Sequence, residues 1–115
     1  MEIMIVKKPI SRKQLAEIAK ERFGDLVKAV IDTKQEIMAL GGDLHADEEA
    51  VLIEKEGSKR EDVWGINLYP EKEEEDLIEF DSVINLKPSF GNRSRGVDNH
   101  ETKEKIRNVV KKLVL

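Results

Sequence analysis

Cysteine is absent from this 115-residue chain, which removes disulfides and thiolate metal sites from consideration and points to a cytoplasmic protein. No apolar run approaches the ~20 residues needed to cross a bilayer. The opening stretch, Met1 to Pro9, has no basic region ahead of a long apolar core, so neither a membrane span nor a classical secretory signal is expected. Aromatics are scarce, with one Trp, one Tyr and three Phe. Nucleic-acid stacking surfaces interleave aromatics with basic residues, and Phe90 beside Arg93 and Arg95 is a thin version of that pattern. The net charge of -4 and pI near 5.3 argue against a whole-surface nucleic-acid binder and leave only a local contact. Catalytic signatures are missing too. There is no Gly-x-Ser-x-Gly elbow, no Walker-type or dinucleotide loop, and no serine local to either histidine.

What the chain does carry is charge. Charged residues make up 38% of it against 39% hydrophobic, which predicts one thin core under a heavily charged surface and a single domain over residues 1–115. Lys and Glu dominate and glutamine occurs only twice, the surface chemistry of thermophile proteins, in which ion pairs gain value with temperature.

Periodicity sets the expected elements. Ile3 to Val6 reads as a short strand closed by Lys7-Lys8-Pro9. Ser11 and Gln14 form a capping box ahead of Leu15, Ile18, Ala19 and Phe23 at helical spacing, and Gly24 sits where a helix would end. Leu26 to Leu40 fits either one helix face or a hairpin of Leu26–Ile31 and Glu36–Leu40, and its β-branched residues favour the hairpin. Leu44 to Glu54 reads as extended. Val63 to Tyr69 alternates with Trp64, Ile66 and Leu68 inward, leaving Asn67 and Tyr69 outward. Ile78 to Leu86 alternates likewise with Ile78, Phe80, Ile84 and Leu86 inward, after an acidic loop over 71–76. A last helix begins near Asp98, with Glu101 completing a second capping box and Ile106, Val109, Val110 and Leu113 forming its stripe. The sum is an α+β domain of two layers: a mostly antiparallel sheet with an N-terminal and a C-terminal amphipathic helix on one face. The other sheet face is expected to be partly solvated.

Three groups of residues could carry chemistry. Pro88 to Gly96 sets Asn92, Arg93, Ser94 and Arg95 between two glycines, after a strand and before a helix. Such a turn can aim N–H groups and arginine forks at an anion, or be an ordinary surface turn. Asp81 and Asn85, four apart on the expected strand, would share the solvent face beside it, as would any usual polar sheet face. On an extended segment His45, Asp47 and Glu49 would also share a face, each about 7 Å from the next. One nitrogen and two oxygens suit Mn²⁺, Fe²⁺ or Zn²⁺, so His45 and Asp47 are candidate ligands of a divalent metal, the alternative being solvated acidic surface.

Blocks spread over nearly the whole chain carry a resemblance: Phe23-Gly24, Gly41 to Asp47, Trp64 to Pro70, Phe80-Asp81-Ser82, Asn85, and Pro88 to Gly96. They resemble a family of small conserved prokaryotic proteins of unknown function, which implies a single-domain cytoplasmic protein and supplies no activity. Three functions stay open. One is a binding protein holding an anionic, phosphate-like ligand through the Gly91–Gly96 loop. The second is a metal-assisted phosphoester hydrolase using His45, Asp47 and Asp81. The third is a module that docks a protein partner through a sheet edge or the acidic loop.

Overall fold

The computed structural model describes residues 2–115, apart from the side chain of Glu74. Its first helix forms as the capping box requires. Strand β1 (Met4–Val6) leads into α1 (Arg12–Arg22), where Ser11 Oγ accepts from Gln14 N at 3.1 Å and Gln14 Oε1 accepts from Ser11 N at 3.0 Å. The helix closes at Gly24, whose N–H donates to Ala19 O at 2.7 Å.

The ambiguous middle segment is a hairpin, β2 (Val27–Asp32) and β3 (Ile37–Leu40). Its turn is organised by buried Asp32, whose Oδ1 accepts from the backbone N–H of Lys34 and Gln35 at 2.9 and 3.0 Å. Strands β4 (Val63–Leu68) and β5 (Ile78–Glu79) complete an antiparallel sheet in the order β1-β3-β2-β4-β5. The last helix, α3 (His100–Leu113), is capped by Asn99, whose side chain accepts from Thr102 N at 3.0 Å. The helix therefore starts after Asn99, and the expected cap, Asp98, has turned back toward the preceding loop.

Helices α1 and α3 cover one sheet face. Leu15, Ile18, Ile106, Val109, Val110 and Leu113 pack on Ala29, Ile31, Met38, Leu40, Trp64, Ile66 and Leu68. The architecture is thus α+β with the N-terminal and C-terminal helices as expected. The second face differs from the sequence-based expectation. Residues His45–Glu56 form a helix, α2, not an extended segment, and it lays Leu52 against Val30, Ala39, Val63 and Ile84. Strands β3 and β4 are buried along their whole length, so much of this face is covered rather than solvated.

The stretch after β5 also departs from its alternation. Pairing stops at Glu79, and Val83–Asn85 makes a single 3₁₀ turn. Phe80 packs toward the α1/α3 core, Ile84 lies in the α2 core, and Leu86 is exposed. The cause is Asn85, fully buried, whose side chain replaces a strand partner for β4. Its Oδ1 accepts from Gly65 N at 2.8 Å, and its Nδ2 donates to Gly65 O at 2.9 Å and Arg95 O at 2.9 Å. Such close approach needs a residue with no Cβ. A Cβ on Gly65 would stand 2.5 Å from Ser82 Oγ and 2.6 Å from Ser82 Cβ. Gly65→Ala is therefore expected to cost about 1–3 kcal/mol of stability through overpacking, read by denaturant unfolding. A loss below a few tenths of a kcal/mol would show that the 82–85 turn has room to move.

Candidate functional site

Strand register brings polar residues into one row on the α2 side of the sheet. Lys28 pairs with Asn67 and Asn67 with Glu79, so the three side chains point the same way, beyond the start of α2. Asn67 Nδ2 donates to Glu79 Oε1 at 2.8 Å, and the Tyr69 hydroxyl donates to the same oxygen at 3.2 Å. Tyr69 reaches the surface as expected, whereas Asn67 is buried and its Oδ1 has no hydrogen-bond partner.

Helix α2 sets His45 over this row. Its N-cap, Leu44, offers no side-chain bond, and His45, the first helical residue, meets Ile66 O at 2.8 Å through Nε2. A carbonyl can only accept, so Nε2 carries the hydrogen and Nδ1 keeps a free lone pair in the neutral ring. Burial pushes the His45 pKa down. The Ile66 hydrogen bond opposes that shift, Lys28 and Arg95 add to it, and Asp81 opposes it. The charges of Asp81 and Arg95 thus act on His45 at a distance, while the two side chains bond to each other. Arg95 Nε donates to Asp81 Oδ1 at 2.6 Å, with 56% and 47% of the two side chains exposed.

One turn on from His45 lies Glu48, which is fully buried. Its Oε2 accepts from Gly42 N at 2.9 Å, while Oε1 has no partner. Burial pushes the Glu48 pKa up to about 9, and the Gly42 bond and the nearby Lys28 charge only partly offset this. At neutral pH Glu48 is an uncharged acid.

The Gly91–Gly96 loop is organised by the chain's own carboxylate. Asp98 Oδ2 accepts from Arg93 N at 2.8 Å and Oδ1 from Ser94 Oγ at 2.6 Å, bonds that hold its pKa below the usual carboxylate range. Ser94 Oγ also accepts from Gly96 N at 3.1 Å. Asn92 is buried and saturated. Its Nδ2 faces Asn85 O, Ser94 O and Gly96 O at 2.8 to 3.1 Å, and its Oδ1 accepts from Asp98 N at 2.8 Å. Asn92 and Ser94 are therefore spent on shaping the loop. Arg93 is exposed and makes no ion pair among the described residues. Asn85 does not share a solvent face with Asp81, because the strand that would have aligned them ends at Glu79.

Asp47 likewise parts from His45. On a helix, side chains two residues apart diverge, and Asp47 is exposed while His45 is buried. Among the described residues no group of three His, Asp or Glu side chains is close enough to hold a metal ion. Lys28 and Glu48 went unnoticed in the sequence. Lys28 left a signal, as the one cation in a strand whose other residues are apolar up to Asp32; Glu48 left none in a chain so rich in carboxylates.

Folding takes up a proton at Glu48. The unfolded carboxyl ionises near 4.5, whereas the folded one stays protonated up to about 9, so stability falls as pH rises through that window. Glu48→Gln removes the cost. Guanidinium unfolding should find the variant more stable than wild type by about 1–3 kcal/mol near pH 8, with the gap closing toward pH ~4.5. A gap that does not change with pH would mean that Glu48 is ionised in the fold.

No helix among the described residues is long and apolar enough to cross a membrane. No curated protein and no solved structure matches this chain. The model of a family described as a protein of unknown function, DUF5674, matches residues 4–113, and the chain belongs to that family.

Proposed function

We propose that this protein binds a small anionic ligand, phosphate or a phosphate-like group, between Arg95, Lys28 and the uncapped start of α2, beside the neutral ring of His45. The observation that carries this reading is that strand register puts Lys28 on the sheet face that α2 covers, where His45 is bonded to Ile66 O and feels the charges of Lys28, Arg95 and Asp81. Charge-assisted forks and free N–H groups at a helix start both favour an anion. The arginine loop contributes through its side chains, because its backbone donors already hold Asp98. Asp81 serves as the resident partner that an incoming anion displaces from Arg95, and both side chains are half exposed and free to exchange. Asn67 Oδ1, buried and unpaired, offers an acceptor to a ligand hydroxyl or amide.

A second reading, metal-assisted phosphoester hydrolysis in the cytoplasm, keeps His45 and Asp81 and loses Asp47. The free Nδ1 of His45 favours it, since that lone pair can ligate a cation or take a proton from water.

A ¹H–¹⁵N NMR titration separates the two. Phosphate, then nucleotides, should give saturable shifts at Lys28, His45 and Arg95. The Lys28→Ala, Arg95→Ala double variant should weaken binding about tenfold or more, and Asp81→Asn should tighten it. Saturable broadening at His45 and Asp81 by Mn²⁺ would favour the hydrolase. Unchanged spectra with phosphate and nucleotides would remove the anion site.

A further inference from the structure

On the opposite side of the molecule a cleft of about 200 Å³ opens between α3, the start of α1 and the segment that leads into β5. Leu77, Ile78, Val110 and Val114 line it with apolar surface. Arg12, Arg107 and Lys111 reach its rim against only two acids, Glu75 and Glu104, so its edge is cationic on a chain of net charge -4.

The three cations have different duties. Arg12 Nη1 donates to Lys72 O at 2.8 Å and Pro70 O at 3.3 Å, which braces one wall. Arg107 lies with its guanidinium carbon 5.3 Å from the Phe80 ring centre and gives Nη1 to Glu104 Oε1 at 2.7 Å, leaving its other donors free. Lys111 is exposed and makes no ion pair among the described residues. An apolar floor with spare cationic donors at one edge is the pattern that recognises a small amphipathic acid.

We infer that this cleft binds a small carboxylic acid with an apolar body, the body on Leu77, Ile78, Val110 and Val114 and the carboxylate at Lys111 and Arg107. The volume falls below the ~300 Å³ at which drug-sized sites begin, so the body is a short alkyl chain or a single ring. The site is independent of the His45 corner, because the two lie on opposite faces of the sheet and share no residue.

Octanoate is a suitable probe, with 1-octanol as the body without the charge and acetate as the charge without the body. Saturable ¹H–¹⁵N shifts with octanoate are expected at Leu77, Ile78, Val110 and Lys111 and not at Lys28, His45 or Arg95. Octanoate should bind about tenfold tighter than either control, and Arg107→Gln with Lys111→Met should erase that advantage while leaving octanol binding in place. Both substitutions are at exposed or part-exposed positions of α3, and a native-like spectrum of the variant verifies its fold. The inference is overturned if octanol binds as well as octanoate, or if the shifts spread over exposed Val83, Leu86 and Phe90. It is overturned equally if the double variant binds octanoate as wild type does.

Discussion

Everything distinctive about the His45 corner depends on the two-way contact between the Asn85 amide and the Gly65 backbone. An amide side chain presents a donor and an acceptor side by side, as a peptide group does, so Asn85 pairs with β4 where no strand runs. The same amide holds Arg95 O, and Asn92 holds Asn85 O, so this buried pair ties together the stretch from 82 to 98, which Lys87 also anchors to β4. Where the strand ends, the chain turns back on itself, and Arg95 comes to pair with Asp81. Leaving one partner unbonded here would bury polar groups of the peptide without compensation, the costly case for a hydrogen bond.

The arginine loop illustrates how an anion-binding turn can be self-satisfied. Its serine hydroxyl and the Arg93 N–H do converge on a carboxylate, but that carboxylate is Asp98, five residues along from Arg93. Local chemistry that suits a ligand suits a neighbouring side chain equally well, and the neighbour is always present at high effective concentration. The arginine side chains are exposed, Arg93 making no ion pair among the described residues and Arg95 pairing with Asp81.

Charge burial is concentrated in a few places. Lys87 is nearly enclosed, donates to Val63 O at 2.7 Å and Arg60 O at 2.8 Å, and sits 3.7 Å from the centre of the Trp64 ring. Burial lowers its pKa to about 8. Glu48 avoids the cost of a buried charge by keeping its proton, and His45 by losing one. Two groups with opposite tendencies, an acid held protonated and a base held neutral, thus lie on one face of α2 beside Lys28, an arrangement that protein sites use to handle protons and anions together.

Local pattern was enough for much of the fold. The capping box of Ser11 and Gln14, the β-branched run through Val27–Ile31, the alternation of Trp64, Ile66 and Leu68 and the stripe of α3 each lie within one element, where backbone periodicity meets one core face. Helix α2 was hidden because its buried face carries His45, Glu48 and Leu52, two of them polar, so no apolar stripe repeats at helical spacing. Its one local sign was Gly57, which ends the helix with φ at 67°. The alternating residues of 78–86 misled for the converse reason: their period is that of a strand, but a side-chain amide from the same segment outcompeted strand pairing. Sequence by itself therefore determined the antiparallel sheet, its flanking helices and the candidates His45, Asp81 and Arg95. Tertiary structure alone decided that Asn85 braces β4 through Gly65 and that His45 bonds Ile66 O, because these contacts join segments whose spacing along the chain carries no local signal. Asp98 fills the loop through contacts that are local but have no periodic pattern to announce them.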